Sequence, residues 1–286
     1  MPPRPLLTQL PRPFIVAVVT DRDPAAALAT MRLAALEGAQ AMELNLPLLA
    51  DVNAGALRQT IAAAPGVVYT SCRRREFMRV YGVDPVDLPD WPDDERMARQ
   101  LAAVAAGALA IDIEMDTFDP RPAPPLGSAE AADGATTPGD PAELSLDPVA
   151  VRRQTEIARE ARAAGAEAIF SCHTGRPQSI DGLLRIARLA AARGADLVKI
   201  VSPCATSADL YAIFEATRRL AACSPIPYTL IGAGSAGDLS RIVGVNFGAG
   251  WAIGQLTLTP GGFHPQPLVA QLRETMRLIP WRAETE

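Results

Sequence analysis

The chain has 286 residues, of which 49% are apolar and 21% charged, so it is long and apolar enough for a sizeable core. Its net charge of −5 argues against a nucleic-acid partner, because binding to a phosphate backbone needs a basic surface. No apolar run reaches the roughly 18–20 residues that cross a bilayer, and four cysteines without a CxxC pair predict free thiols in a reducing cytoplasm.

Short apolar runs typical of strands alternate along the chain with helical patterns. The predicted strands are Phe14–Thr20, Ala41–Asn45, Val67–Ser71, Ala108–Glu114, Glu167–His173, Asp196–Val201, Pro227–Ile231 and Trp251–Gly254. The predicted helices cover residues 24–37, 55–63, 93–106, 148–164, 180–192, 207–222, 236–243 and 266–278. Several runs are apolar at every position, which is typical of parallel strands covered on both faces.

Eight such repeats predict a single domain over residues 1–286, folded as a (β/α)8 TIM barrel. The rival, a doubly wound open sheet, usually carries a glycine-rich loop after its first strand, and residues 20–24 contain no glycine. Residues 119–147 are rich in Pro, Gly, Ala and Asp and show no helical or strand period. We therefore expect them to form a flexible insertion after the fourth strand.

Of the 27 basic residues, Lys199 is the only lysine. Arginine replaces lysine easily on a solvated surface, but not where an amine must lose its proton. Lys199 lies inside the apolar run ADLVKIV, so we expect apolar surroundings in the barrel wall, where an amine becomes a nucleophile and condenses with a ketone or aldehyde to an imine. The structural alternatives are pairing with Asp196 and an amine that reaches the surface.

Three more ionisable residues, Glu43, Glu114 and His173, lie on other predicted strands and would meet Lys199 at the barrel mouth. His173 suits a proton shuttle, because imidazole titrates near neutral pH, and a carboxylate such as Glu114 would orient it. The set predicts a Schiff-base lyase, dehydratase or aldolase. Each residue also has a purely structural reading. One histidine and two carboxylates could hold a metal ion, but the nearby lysine cation argues against it, so we predict no metal.

At these residues the chain resembles type I 3-dehydroquinate dehydratase, from about residue 14 to residue 276 without the insertion. The segments that carry the resemblance are MELN, VVYTSCRRRE, IDIEMD, IFSCH, GADLVKIV and GSAGDLSRIVGVNFGAGWAIG. GADLVKIV is close to identical to the strand that holds the family's Schiff-base lysine. The other segments match its Glu-x-Arg, Phe-Thr-x-Arg-x-x-x-Glu, Asp-hydrophobic-Glu, Ser-Tyr-His and Ser-Arg…Gly-x-x-Phe-Gly patterns in order.

The resemblance implies a cytoplasmic (β/α)8 barrel, usually a homodimer, that needs neither metal nor organic cofactor. In this family the lysine, here Lys199, forms an imine with the C3 ketone of 3-dehydroquinate. The histidine, here His173, removes a C2 proton and later protonates the departing hydroxyl, which gives 3-dehydroshikimate. By position, Glu114 would orient His173, Glu43 would line the site, and Arg241 would clamp the carboxylate of a small anionic keto acid.

Several recognition residues depart from the family pattern. Asn45 replaces an arginine that binds substrate hydroxyls. Cys72 falls where another arginine is expected, although Arg73 could reach into the site if the strand end bulges. An ungapped alignment of the last loop places Leu258 and Gly262 where the family has a Ser and a Gln that cover the substrate carboxylate.

These departures leave two enzymatic interpretations open. The chain is either a divergent dehydroquinate dehydratase with a rebuilt pocket, or an imine-forming lyase, aldolase or cyclase that acts on another carboxylated ketone. A third interpretation is a non-catalytic barrel that binds a metabolite. The presence of Lys199, His173 and Glu114 weighs against it, because a sensor would not need all three.

Overall fold

The computed structural model describes residues 4–49, 52–120, 143–258 and 266–283. Eight parallel strands form a nearly closed barrel in the order β7-β6-β5-β4-β3-β2-β1-β8, which confirms the predicted (β/α)8 fold. The strands are β1 Phe14–Val19, β2 Ala41–Asn45, β3 Val67–Ser71, β4 Ala110–Glu114, β5 Glu167–His173, β6 Leu197–Pro203, β7 Tyr228–Ala233 and β8 Trp251–Gln255.

Each strand is followed by a helix that covers the outside of the barrel. The α-helices of the described ranges are α1 Pro24–Glu37, α2 Ala54–Ala63, α3 Asp93–Ala105, α4 Pro148–Ala163, α5 Ile180–Ala192, α6 Ser207–Cys223, α7 Asp238–Val243 and α8 Val269–Leu278. Most bounds lie within a residue or two of the prediction. β6 runs two residues further than predicted because Ser202 and Pro203 still pair with β7.

Alternation along each strand decides which side chains enter the barrel. On β1, Phe14 and Val16 pack in the inner cluster, whereas Ile15 and Ala17 pack outward against the helix layer. This two-residue period is the ordinary geometry of a strand. It places every second residue of the eight strands in one shared interior, and functional side chains at those positions therefore converge.

The amino-terminal segment closes the bottom of the barrel. Leu7 is buried in the inner cluster, and its backbone N–H donates to Glu167 Oε2 over 2.7 Å. Thr8 also donates to the carboxylate of Glu167, at the first residue of β5. The amino-terminal segment therefore covers the barrel interior at the end where the strands begin.

Glycines at the ends of helices set the turns back into the strands. Gly38, Gly165 and Gly194 follow α1, α4 and α5 with φ values of 114°, 87° and 86°. In this left-handed region a Cβ is costly, so glycine ends the helix and redirects the chain.

The last five residues of the segment predicted to be a flexible insertion, 143–147, contact the barrel. Residues 121–142 lie outside the described residues. Residues 143–147 are held in place: Leu144 is buried in the outer core, Ser145 N–H donates to Met115 O over 2.9 Å, and Asp147 caps α4. The sequence of residues 143–147 has no strand or helix period, so periodicity could not reveal these tertiary contacts.

None of the helices in the described ranges combines the length and the apolar character needed to span a lipid bilayer.

Candidate active site

Lys199 points into the barrel from β6. Its neighbours Val198 and Ile200 pack outward into the helix layer, so alternation turns Lys199 inward. Nζ lies 3.1 Å from Asp112 Oδ2 and 3.7 Å from Glu43 Oε2, and only 5% of the residue is exposed. The prediction of an interior amine is confirmed. The predicted apolar surroundings are present only in part: Val201, Ile231 and Ile253 share the pocket wall with Lys199, but two carboxylates contact its amine.

Asp196, the alternative partner of Lys199, lies elsewhere. Its carboxylate accepts from Arg162 Nε over 3.1 Å and from the backbone N–H of Ala168. Asp196 immediately precedes β6, at the amino-terminal end of the barrel. Lys199 is therefore directed to the interior and not to this surface pair.

Glu43 and Asp112 hold the amine from two sides. Glu43 on β2 also accepts a hydrogen bond from the hydroxyl of Tyr69 over 2.7 Å. Burial alone would raise the pKa of Glu43, but Lys199 and Arg73 reverse this effect and lower it. Glu43 is therefore a carboxylate in the site. Asp112 on β4 is shared between Lys199 and Arg73.

Arg73, not Cys72, enters the barrel at the end of β3. Its guanidinium contacts Asp112 at 2.5 Å and Ser171 Oγ at 2.9 Å, and it lies 3.2 Å from Glu114. Cys72 packs in the outer core, where burial raises the pKa of its thiol to about 12. The predicted inward reach of Arg73 agrees with the structure. Cys72, proposed from the sequence as a substrate contact, faces away from the site.

Glu114 is engaged by arginines rather than by the imidazole. Arg96, which reaches inward from α3, and Arg73 both pair with its carboxylate. Burial alone would raise the pKa of Glu114, yet these guanidinium groups lower it to about 2. The sequence-based expectation that Glu114 orients His173 does not match these contacts, since Glu143 occupies Nδ1 of that imidazole.

His173 ends β5 and forms a close pair with Glu143. The distance from Nδ1 to Glu143 Oε2 is 2.5 Å, and the ring packs 4.8 Å from the ring centroid of Phe77. Burial, Arg73 and Lys199 hold the pKa of His173 well below its usual range. Burial and the nearby Glu114 raise the pKa of Glu143 to about 8. Below that pH the protonated carboxyl group donates to Nδ1, and the neutral imidazole carries its own proton on Nε2. Above it the ionised carboxylate accepts from Nδ1, and Nε2 is free.

Arg241 reaches the same pocket from α7, which packs closely against the end of β7. A Cβ on Gly232 would lie 2.9 Å from the Cα of Gly237, and one on Gly237 would lie 2.6 Å from the carbonyl carbon of Gly232. Two glycines are therefore needed for this approach. Ser240 accepts from the N–H of Gly232 over 2.7 Å and fixes α7 in place.

Gln266 lies in the segment before α8 and lines the pocket beside Arg241. Its backbone carbonyl accepts from Gln255 Nε2 over 3.1 Å. Within the described ranges, Gln266 Oε1, Arg241 Nε and Glu43 Oε1 are buried without a hydrogen-bond partner. Polar atoms left in this state are costly unless a ligand satisfies them.

Asn45 and Leu258, two further residues singled out from the sequence, are not part of the pocket wall. Asn45 is buried and donates to Val19 O over 3.2 Å, and its Oδ1 accepts from Ser71. These bonds give it a structural role within the sheet. Leu258 is 62% exposed, and Gly262 lies outside the described residues.

One pocket at the barrel mouth brings the functional groups together. Its wall combines ionisable and polar side chains with an apolar surface, and consists of Glu43, Phe77, Val80, Tyr81, His173, Lys199, Val201, Ile231, Arg241, Ile253 and Gln266. In the part of the chain that the structure describes, no three His, Cys, Asp or Glu side chains are arranged to hold a metal ion. The arrangement offers an amine, an imidazole–carboxyl pair and a guanidinium to one small molecule.

Sequence reasoning missed Glu143 and Gln266 and gave Asp112 no role. Alternation in the sequence predicts that Asp112 faces the same side of its strand as Glu114, but it does not indicate the contact with Lys199. Gln266 lies four residues beyond Gly262, so an alignment with a gap could have found it. Glu143 carries no local signal, because the contact with His173 joins positions 30 residues apart.

Comparison with known proteins agrees with this geometry. The family model of Type I 3-dehydroquinase matches residues 141–280, which carry His173, Lys199 and Arg241. Over these residues the chain is similar to the type I 3-dehydroquinase family. Members of this family are dehydratases, that is, hydro-lyases, and the match does not favour the alternative keto-acid lyase or cyclase. No curated protein matches the chain.

Solved structures of the same fold cover almost the whole chain. A 3-dehydroquinate dehydratase from Geobacillus kaustophilus superposes with a TM-score of 0.69 at 16% identity, covering 94% of this chain and 91% of that one. The Type I enzyme from Clostridium difficile, solved with covalently modified comenic acid, gives 0.71 at 16% identity, covering 95% and 94%. The enzyme from Enterococcus faecalis gives 0.68 at 18% identity, covering 94% of each chain. At these identities the likeness concerns the fold.

Proposed function

We propose that the protein is a Schiff-base dehydratase that converts 3-dehydroquinate to 3-dehydroshikimate and water. The observation that carries this proposal is that Lys199, His173 and Arg241 line one pocket at the barrel mouth. An amine, a proton shuttle and a carboxylate clamp are the three functions that an imine-based dehydration of a keto acid requires. The family match supports the substrate.

Lys199 would supply the covalent step. Transfer of a proton from Nζ to Glu43 or Asp112, which lie 3.7 Å and 3.1 Å away, frees the amine. The amine adds to the C3 ketone, and the carboxyl group returns its proton to the hydroxyl of the carbinolamine, which leaves as water. The resulting protonated imine draws electrons from the adjacent C2–H bond. The same carboxylates then neutralise the positive imine nitrogen.

His173 would move the second proton. With Nδ1 paired to Glu143, the nitrogen left for substrate is Nε2. It takes the C2 proton, which leaves an enamine on Lys199, and the imidazolium then protonates the departing hydroxyl so that it leaves as water. Hydrolysis of the imine releases the product and restores the amine.

Arg241 would hold the substrate carboxylate at the other end of the pocket. A planar guanidinium suits a carboxylate because it can form two parallel hydrogen bonds. Its Nε is buried and unpartnered within the described ranges, and burial lowers the pKa of Arg241, so a bound anion would satisfy it. Gln266 lies beside it on the pocket wall and offers an amide.

Trapping by borohydride tests the proposal. Protein incubated with 3-dehydroquinate and reduced should carry one adduct, and mass spectrometry of the digest should place it on the peptide that contains Lys199. The Lys199→Met variant should show neither adduct nor turnover. Turnover of 3-dehydroquinate by Lys199→Met, or a wild-type protein that neither reacts nor turns over, would overturn the proposal.

The homodimer and the cytoplasmic location that the resemblance implies stay predictions. Light scattering behind a size-exclusion column would test the first. Fractionation of the source cells would test the second.

A further inference from the structure

Glu143 contacts His173 through both its side chain and its backbone. Oε2 lies 2.5 Å from Nδ1 and accepts the backbone N–H of His173 over 2.9 Å. The backbone N–H of Glu143 in turn donates to His173 O over 3.2 Å. Three contacts between two residues fix the carboxyl group relative to the imidazole ring, and both side chains are only 6% exposed.

The chain directly after Glu143 is anchored to the barrel, so the carboxyl group rests on a rigid support. Leu144 is buried in the outer core, and Ser145 N–H donates to Met115 O over 2.9 Å. The guanidinium of Arg193 donates to both Ser145 O and Met115 O. Because the residues that follow it are anchored by these bonds, the side chain of Glu143 is kept in one orientation.

Glu114, the residue that the family resemblance suggested for this task, is engaged with Arg96 and Arg73. We infer that Glu143 is the positioning residue of His173 and, in its ionised form, holds the proton on Nδ1 and leaves Nε2 free to accept a proton from substrate. This inference rests on the proposed function for its kinetic consequence. Its structural content, the tautomer of His173, does not depend on the substrate.

Glu143 selects one tautomer of His173 because an ionised carboxylate can only accept hydrogen bonds, so the nitrogen beside it must be a donor. When the pair has lost its shared proton, one proton remains on the imidazole, and an ionised Glu143 beside Nδ1 accepts a hydrogen bond only if that proton lies on Nδ1. An imidazolium formed during the reaction would be stabilised by the same carboxylate. Without Glu143 the imidazole would exchange between two tautomers, one of which blocks Nε2.

Nitrogen-15 NMR of the imidazole tests the tautomer directly in the ligand-free protein. The chain has only two histidines, and the signals of His173 are those that disappear in His173→Ala. At pH 9, above the pKa of about 8 of Glu143, wild-type His173 should carry its proton on Nδ1 and none on Nε2. In Glu143→Ala the two nitrogens should show a tautomer mixture.

Kinetics separates positioning from folding. Glu143→Ala should lower kcat for dehydration by about 10²-fold or more while KM and the borohydride adduct on Lys199 stay near their wild-type values. Glu143→Gln keeps the size of the side chain and an acceptor for the backbone N–H of His173, so it serves if Glu143→Ala does not fold. It should also lower kcat, because a neutral amide does not stabilise the imidazolium.

Two comparison variants make the result specific. Glu156→Ala removes a half-exposed carboxylate on α4, 4.0 Å from Arg152, and should leave both the tautomer and kcat unchanged. Glu114→Gln should leave the Nδ1 proton of His173 in place. The inference would be overturned if His173 kept its proton on Nδ1 in both Glu143 variants. It would also be overturned if His173 lost that proton only in Glu114→Gln. A wild-type protein that shows the Nδ1 tautomer but forms no imine would overturn the proposed function and leave the assignment of Glu143 standing.

Discussion

His173 lies one inward-facing layer nearer the barrel mouth than Lys199, on the neighbouring strand. In the ladder between β5 and β6, Lys199 pairs with Ser171 and His173 pairs with Val201. Two residues along a strand span roughly 7 Å. A ketone bound to Nζ would therefore place its neighbouring carbon toward the imidazole, which is where a proton must be removed.

This layering predicts that His173→Ala separates imine formation from proton transfer. The variant keeps Lys199, so the borohydride adduct should still form. Dehydration should fall by roughly 10²–10⁴-fold, because loss of a positioned general base typically costs this much. Single-turnover assays combined with trapping measure the two steps, and near-normal turnover would remove His173 from the mechanism.

Arg241 is expected to act on binding rather than on chemistry. Loss of a buried charged contact to a ligand costs a few kcal/mol, so Arg241→Met should lower kcat/KM by roughly 10²–10³-fold, mainly through KM. Arg241→Lys keeps the charge but not the planar fork and should recover part of the loss. Steady-state kinetics measures both, and an unchanged KM in Arg241→Met would show that the substrate carboxylate lies elsewhere.

Arg73 should matter more for stability than any exposed arginine of the same loop. Its removal leaves the buried carboxylates of Asp112 and Glu114 with fewer counterions, and breaking a buried pair costs about 3–5 kcal/mol. Arg79, half exposed and 3.6 Å from Glu76, provides the matched comparison, and an exposed pair of this kind contributes about 0–1 kcal/mol. Urea unfolding of Arg73→Met and Arg79→Met measures the difference. Equal losses would contradict the assignment of Arg73 to the interior.

The low pKa of Glu114 predicts that the folded protein loses stability in acid. Its pKa is about 2 in the folded protein, against 4.5 as its ordinary value, so the unfolded chain binds the proton more readily. The stabilisation, on the order of 3 kcal/mol, is present above pH 4.5 and is lost as the pH falls toward 2. The difference in unfolding free energy between wild type and Glu114→Gln should therefore shrink by on the order of 1 kcal/mol from pH 7 to pH 3.5. A difference that stays constant over this range would contradict the low pKa.

The barrel and its two central residues could be predicted because the relevant signals are local. Continuous apolar runs, helical patterns and glycines such as Gly38 and Gly194 recur along the chain and mark each repeat. Alternation within β5 and β6 decides that His173 and Lys199 face inward. The resemblance to the family pattern points to Arg241, which lies on α7 and lines the pocket.

The partners of those residues could not be predicted with the same success. Cys72 and Arg73 are adjacent, and the sequence did not show which of them would turn inward at the end of β3. Gln266 lies four residues beyond Gly262, the position to which an ungapped alignment points. Glu143 lies in a stretch without any period, so nothing near it in the chain indicates a contact with His173.

Local patterns in the amino-acid sequence therefore determined the fold, the inward direction of the amine and the imidazole, and the end of the barrel at which they meet. Only the tertiary structure decided what surrounds them: two carboxylates around Lys199, two arginines around Glu114, and Glu143 on His173. The reason is that strand periodicity specifies the face to which a side chain points. The identity of the group opposite depends on strands and loops that are distant in the chain and adjacent only once the barrel has closed.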